Sequence, residues 1–205
     1  LQFLAEWAVF VKAGNLSKIL LQDNKPEFLF APYQSPDCLA LHKGIARRLT
    51  WHSATIHFYD HDLSFRLESY LEENSSIPGL LGFQDWLRRK CIEHDINELY
   101  YPILDTTIRT IPLDYFTVGF CLKDDFFSAI QCHIKKIETH FKSIGACFLA
   151  DSAYLNNHIL KQLFVKSGRP VYYLNPNGKI NKYSDLYHSE FSVKKIDHKY
   201  CDNKT

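Results

Sequence analysis

An α/β fold with a mainly parallel sheet is predicted by three features of the sequence. The first is a strand, helix and strand compressed into residues 145–179, where Gly168 ends the helix. The second is that the strand segments are continuous apolar runs, as in parallel strands buried on both faces. The third is the alternation of strand and helix, which favours right-handed crossovers and a three-layer, doubly wound arrangement.

About six strands are predicted in this sheet. Each is an apolar run that stops at polar or turn-forming residues: 27–31, 55–59, 98–101, 117–122, 146–150 and 171–174. Apolar residues at helical spacing predict helices over 3–13, 39–49, 63–71, 83–92, 124–141 and between 151 and 168. Residues 102–114, rich in Thr and broken by two prolines, are expected to form a long connection over the carboxyl edge of the sheet.

The length of 205 residues predicts one domain, over residues 1–178, followed by a tail or linker over 179–205. Lys and Arg number 24 against 23 Asp and Glu, and this balance argues against a nucleic-acid partner. Six cysteines without C-x-x-C spacing favour a reducing, cytoplasmic compartment. No apolar stretch approaches the roughly 20 residues that cross a bilayer. The first residue is Leu and Met is absent, which is compatible with a fragment or a processed piece and does not decide between these and a whole chain.

Several motifs are missing, and their absence narrows the chemistry. The sequence has neither G-x-G-x-x-G nor G-x-x-x-x-G-K-[ST], which disfavours dinucleotide and P-loop sites. It also lacks the G-x-S-x-G of α/β serine hydrolases. The ten histidines show no tight ligand spacing, so neither a metal nor a cofactor is expected.

Polar residues beyond the strands are the candidate site, since open α/β sheets bind ligands outside the carboxyl ends of their strands. Asp151 and Ser152 follow the fifth strand and open a helix, whose amino end favours an anionic ligand. Tyr154 and Asn157 fall near the same edge, so all four residues are candidates for substrate binding. A plain helix cap, with Tyr154 packed beside it, is the more common arrangement and stays an alternative.

Asp60, His61 and Asp62 follow the second strand and could supply a general acid or base. A carboxylate beside an imidazole orients the ring and raises its pKa toward the working pH. A solvated turn is the alternative for this segment.

Asp105 and Arg109 fall in the connection predicted over residues 102–114. There Arg109 could bind a phosphate or carboxylate through two parallel hydrogen bonds, although a structural loop contact explains it as well. If the six strands are parallel, the carboxylates that follow them are expected to gather along one rim: Asp37, Asp60, Asp105 and Asp151.

Residues 146–178 resemble the last crossover of the amino-terminal, Rossmann-like half of bacterial surface-polysaccharide glycosyltransferases with the GT-B fold. The likeness rests on the apolar strand, Asp-Ser-x-Tyr-x-x-Asn, the amphipathic helix, Gly-Arg-Pro-Val-Tyr-Tyr-Leu and a closing Asn-Gly. The strand over residues 27–31, behind a leading helix, fits the same half.

The resemblance implies transfer of a sugar from a nucleotide-sugar donor to a capsule or lipopolysaccharide glycan, with this half facing the acceptor. A second Rossmann-like domain beyond residue 205 is then expected to supply most donor contacts. The family's catalytic acid or base lies on a loop after an early strand, so Asp37, Asp60 and Asp62 are catalytic candidates by position, with His61 among the substrate-binding residues. The expected location is the cytoplasm, with peripheral association at the inner face of the membrane.

Two other functions stay open. A stand-alone α/β domain could bind a nucleotide or a phosphorylated metabolite, as a different enzyme or as a sensor. Alternatively, the tail, with its Lys and Tyr residues, could dock onto a partner protein.

Overall fold

The computed structural model describes residues 26–32, 36–59, 64–112, 114–150, 154–174 and 180–182. The chain divides into two compact units. The first contains Leu1–Phe58, Ile144–Ala150 and Phe164–Thr205, and the second contains Tyr59–Ser143 and Asp151–Leu163. Each unit is therefore assembled from segments that are distant in the sequence.

Strands and helices alternate over much of the described chain. The strands are β1 (Glu27–Ala31), β2 (Thr55–Phe58), β3 (Leu71–Glu73), β4 (Phe120–Leu122), β5 (Ala146–Leu149), β6 (Val171–Leu174) and β7 (Ile180–Lys182). The α-helices are α1 (Pro36–Thr50), α2 (Gly79–Glu93), α3 (Tyr100–Thr110), α4 (Tyr115–Val118), α5 (Phe126–His140) and α6 (Leu155–Lys166). Two 3-10 turns cover Leu67–Tyr70 and Asn97–Leu99.

The first unit is built on a mainly parallel sheet with the strand order β2-β1-β5-β6-β7. The strands β2, β1, β5 and β6 are parallel to one another, and β7 pairs antiparallel with β6. The α/β class and the four parallel strands are confirmed, whereas the prediction gave about six. The helices predicted over 39–49, 83–92, 124–141 and after residue 151 are confirmed as α1, α2, α5 and α6. The helix predicted over 3–13 lies outside the described residues.

A row of aromatic rings crosses the four parallel strands. Phe58, Phe30, Phe148 and Tyr172 occupy neighbouring register positions on β2, β1, β5 and β6. Along this row the ring centroids are 5.7, 4.5 and 5.1 Å apart. Because a one-residue slip would move a whole strand's side chains to the opposite face, the aromatic row fixes the register of the sheet.

Both faces of the central strands β1 and β5 are buried, as the continuous apolar runs of these strands predict. One face packs against α1 through the apolar side chains of that helix: Leu41, Ile45, Ala46 and Leu49. The alternate strand positions Leu29, Cys147 and Leu149 belong to the other face and are also fully buried. The side chains on both faces of β1 and β5 are therefore removed from solvent.

Residues 98–110 are helical, where a third strand and an irregular connection are predicted. The 3-10 turn Asn97–Leu99 leads directly into α3. Pro102 is accommodated because it lies in the first turn, where a helix needs no N–H donor. Two threonine hydroxyls donate to the carbonyl one turn earlier, at 2.7 and 2.8 Å: Thr107 to Ile103 and Thr110 to Thr106. The Thr-rich composition is thus compatible with a helix, and both predictions for this segment are wrong.

The second unit contains a two-stranded antiparallel sheet of β3 and β4. The strand predicted over 117–122 is shortened to β4 and belongs to this pair rather than to the parallel sheet. The helix predicted over 63–71 is a 3-10 turn followed by β3. Short apolar runs cannot distinguish these alternatives, because they lack a clear period.

Gly119 directly precedes β4, in a backbone conformation and a close backbone contact that only glycine permits. Its φ is +92°, and an added Cβ would lie 2.5 Å from the Ile77 carbonyl oxygen and 2.7 Å from that of Asn74. Both the dihedral angle and the close backbone contact require glycine at this position.

Candidate functional site

The strand order identifies where a ligand is expected to bind in the first unit. In the order β2-β1-β5-β6, the chain passes from β1 to β2 on one side of it and later continues with β5 on the other side. The topological switch point therefore lies between β1 and β5. Open α/β sheets bind ligands beyond the carboxyl ends of the strands at such a point. The helices that follow these two strands in the chain are α1 and α6. The amino end of α1 belongs to the first unit and that of α6 to the second, and each is described by itself.

The amino end of α6 is capped by a side chain from α3. The backbone N–H of Leu155 donates to the hydroxyl oxygen of Thr106 at 2.9 Å, and Thr106 is only 9% exposed. The N–H of His158 donates to the carbonyl of Tyr154, which marks the first helical hydrogen bond. A buried threonine thus satisfies an amide that a helix leaves unpaired at its start.

Arg109 lies at this helix end together with Asp105 and Tyr154. Its Nε donates to Asp105 Oδ2 at 2.8 Å, one turn earlier on α3. Its guanidinium carbon lies 5.1 Å from the centre of the Tyr154 ring. The hydrogen bond that Arg109 donates to Asp105 and the negative charge of that carboxylate raise the pKa of Arg109. The structure therefore brings together three of the residues predicted to bind substrate.

We call Asp105, Arg109 and Tyr154 the arginine cluster. The side chains of Arg109 and Asp105 are 50% and 37% exposed, so the guanidinium is open to solvent on one side. A guanidinium, a phenol and the positive end of a helix all favour an anion, and a phosphate suits the flat guanidinium fork. Asp105 already occupies Nε, as in an ordinary surface ion pair one helical turn long.

Asn156, a residue that the sequence did not single out, ties the start of α6 to another segment. Its Oδ1 accepts from the Phe65 backbone N–H at 2.7 Å and from the Tyr59 hydroxyl at 3.3 Å. Its Nδ2 donates to the Phe65 carbonyl at 3.1 Å. Burial raises the pKa of Tyr59 well above its usual range, and a hydrogen bond with Ser64 acts in the opposite direction. No sequence signal beyond its place after Tyr154 points to Asn156.

The other predicted site residues are less informative. Asp37 is exposed in the first turn of α1, in the first unit. Asn157 is 7% exposed on α6. Asp105 follows no strand, so its predicted place after a third strand is wrong. Five catalytic or substrate-binding candidates lie outside the described residues: Asp60, His61, Asp62, Asp151 and Ser152.

Cys38 and His42 lie close together on α1 but do not form a nucleophilic pair. The His42 Nδ1 is 2.9 Å from the Cys38 carbonyl oxygen, which can only accept, so Nδ1 carries the proton. Nδ1 is also the ring nitrogen nearest the thiol, at 3.6 Å from Sγ, and it therefore has no lone pair to accept the thiol proton. Burial raises the pKa of Cys38 and lowers that of His42 to about 4. The pair lacks the activated thiolate that catalysis requires.

Within the described ranges, no group of three or more His, Cys, Asp or Glu residues could hold a metal ion. None of the helices in this part of the chain is both long and apolar enough to cross a membrane.

Comparisons of the chain with protein-family models, with curated proteins and with solved structures gave no match.

Proposed function

We propose that this chain is the acceptor-side domain of a glycosyltransferase, which transfers a sugar from a nucleotide-sugar donor to a cell-surface glycan. The order of the four parallel strands supports a three-layer, doubly wound, Rossmann-like domain. In this proposal a second Rossmann-like domain supplies most donor contacts. The protein acts in the cytoplasm, at the inner face of the membrane.

The arginine cluster is the observation on which the proposal depends. It lies at the amino end of α6, the helix that follows the switch-point strand β5 in the chain. Sugar transfer leaves a nucleoside diphosphate from a UDP- or GDP-sugar and a nucleoside monophosphate from a CMP-sugar, and a guanidinium stabilises the charge that develops on either leaving group. Asp105 accepts from Nε and Tyr154 also hydrogen bonds to the guanidinium, so phosphate oxygens would meet the remaining N–H donors of Arg109.

A transfer reaction also needs a base for the acceptor hydroxyl. We assign this role to a carboxylate of the Asp60-His61-Asp62 segment, with Asp37 as the remaining candidate. Asp60→Asn and Asp62→Asn remove a base while preserving side-chain size. Under the proposal, one of these two variants binds a nucleotide sugar normally and loses turnover, measured as release of the nucleoside mono- or diphosphate that the donor carries.

Binding by Arg109 variants tests the proposal directly. A panel of UDP-, GDP- and CMP-linked sugars, with UDP and inorganic phosphate, is titrated into the chain by calorimetry. We expect one nucleotide class to bind, and Arg109→Ala to weaken it by about tenfold or more, since charged hydrogen bonds contribute about 1.5–3 kcal/mol. Arg109→Lys restores the charge without the planar fork and recovers only part of the affinity.

Arg88→Ala is the matched control for this experiment. Arg88 also places its guanidinium carbon over a tyrosine, 5.2 Å from the Tyr100 ring centre, and belongs to the same unit. Its removal should leave nucleotide-sugar affinity unchanged. Equal losses from the two alanine variants, or no binding to any compound of the panel, would contradict the proposal.

A further inference from the structure

One buried hydrogen bond joins α3 to the first turn of α6, directly beside the arginine cluster. The Leu155 backbone N–H donates to Thr106 Oγ1 at 2.9 Å, and both residues are buried in the second unit. Thr106 follows Asp105 in the chain, and Leu155 follows Tyr154. Each partner of this bond is therefore the covalent neighbour of a cluster residue.

The members of the arginine cluster differ in what brings them together. The ion pair between Arg109 and Asp105 spans one turn of α3, so a single helix sets its geometry. Tyr154 reaches Arg109 from outside this helix. Its ring centre lies 5.1 Å from the guanidinium carbon, and it also hydrogen bonds to the guanidinium. The place of Tyr154 in the cluster therefore depends on how the start of α6 is attached to α3.

The bond to Thr106 is better suited to fix this attachment than the contact between Arg109 and Tyr154. The side chain of Arg109 is 50% exposed, and a cation over an aromatic ring contributes little at an exposed site. The Leu155 N–H, in contrast, is one of the amides that a helix leaves unpaired at its start, and it is buried. Without the Thr106 hydroxyl it would have to move toward water or stay without an acceptor.

We infer that Thr106 is a positioning residue, which places Tyr154 over Arg109 and so completes the arginine cluster. The consequence for phosphate binding rests on the proposed function, whereas the placement of Tyr154 does not. A ring held against the guanidinium restricts a long, flexible side chain before the ligand arrives, which lowers the entropy cost of binding. Thr106 is itself buried and acts through Tyr154.

The placement of Tyr154 is measured by NMR of the ligand-free chain. An aromatic ring shifts the resonances of protons beside it, and Tyr154→Leu gives the position of the Arg109 Nε–H without the ring. We expect Thr106→Val, which removes the hydroxyl at nearly constant size, to move this resonance toward the Tyr154→Leu position. Thr106→Ala removes the same hydroxyl with a better helix former, so it provides the test if the valine variant does not fold. It should move the resonance in the same direction.

Thr107→Val is the matched control. Thr107 is also buried on α3, but its hydroxyl donates to the Ile103 carbonyl of the same helix, at 2.7 Å. This variant should leave the Arg109 Nε–H at its wild-type position, and so should Thr106→Ser, which keeps the hydroxyl. A wild-type position in Thr106→Val and Thr106→Ala, or an equal shift in Thr107→Val, would overturn the inference.

Binding then separates this inference from the proposed function. With the nucleotide sugar that binds the wild type most tightly, Thr106→Val should lower the affinity by about fivefold and Thr106→Ser should recover it. A wild-type affinity in Thr106→Val would contradict the role of Thr106 in phosphate binding. If the wild type binds no nucleotide sugar, the proposed function is lost, and the Arg109 resonance alone decides whether Thr106 places Tyr154.

Discussion

At the scale of single residues, His42 is the buried ionisable group with the clearest consequence. Its side chain is fully buried beside Phe30, with ring centroids 6.0 Å apart, and its Nδ1–H donates to Cys38. The Nε2 atom has no hydrogen-bond partner in the part of the chain that the structure describes. Protonation would leave a buried N–H without an acceptor, so the fold favours the neutral ring.

Protonation of His42 is therefore expected to lower the stability of the folded protein as the pH falls. The folded pKa of about 4 lies below the ordinary value of 6.5, so the unfolded chain binds the proton more tightly. The contribution of neutral His42 to the free energy of unfolding is complete above pH 6.5 and is lost as the pH falls toward 4. About 2 kcal/mol of it is lost at pH 5. Urea unfolding of His42→Phe, which keeps a ring beside Phe30, should show a flatter pH profile by this amount. A pH profile for His42→Phe that is as steep as that of the wild type would contradict this role of His42.

Residues also show what could be predicted for the candidate site. Arg109, Asp105 and Tyr154 were each predicted from their chemistry, but their contact was not, because α3 was predicted to be a loop. Asn156 carries no local signal, since its partners lie 91 and 97 residues away. Side-chain bonds over such separations depend on tertiary structure and leave no periodic pattern.

At the scale of elements, the parallel sheet depends on its aromatic row. Phe148 lies at the centre of the row, fully buried between the rings of Phe30 and Tyr172, at 4.5 and 5.1 Å. Phe58 ends the row on β2 and is 42% exposed. The two positions therefore differ in how much apolar surface and how many ring contacts they lose on truncation.

We expect Phe148→Ala to lower the free energy of unfolding by about 3–5 kcal/mol, because it leaves a cavity between the strands. Phe58→Ala should cost roughly 1 kcal/mol, in proportion to its smaller buried area. Urea titration followed by circular dichroism measures both changes. Similar costs for the two variants would show that the row does not stabilise the sheet as described.

The turn before β4 gives a second test at this scale. Gly119→Ala adds both backbone strain and a clash with two carbonyl oxygens, so a loss of roughly 3 kcal/mol or more is expected. Gly168→Ala, at a φ of +70°, meets no atom within 4 Å and should cost only about 1 kcal/mol. Thermal unfolding of the two variants compares them. Similar midpoints for the two variants would show that the carbonyl clash is unimportant.

Elements differ in how well the sequence predicts them. The strands β1, β5 and β6 are continuous apolar runs, which is the pattern that burial on both faces imposes. The helix α3 was missed because Pro102 and its threonines resemble a loop, although the first turn tolerates proline and the hydroxyls bond within the helix. The antiparallel β3–β4 pair has only three residues in each strand, too few for a period to appear.

At the scale of the whole molecule, the chain combines a parallel sheet in one unit with the arginine cluster and the Asn156 contacts in the other. The chain changes from one unit to the other several times. One of these changes falls between Ala150 and Asp151, after β5 and before α6. Ligand-binding residues in α/β proteins commonly lie in the connections that follow the strands. The proposed function assigns phosphate binding to the start of α6 and base catalysis to the segment after β2.

The central claim is that a phosphate-bearing sugar nucleotide binds at the arginine cluster. The most direct measurement is an NMR titration of the ¹⁵N-labelled chain with the nucleotide sugar that binds most tightly in the calorimetric panel. The account predicts saturable shifts of the Arg109 Nε–H and of the amides of Tyr154, Leu155 and Asn156, which Arg109→Ala abolishes. Saturable shifts confined to other parts of the chain, with the Arg109 Nε–H unmoved, would contradict it.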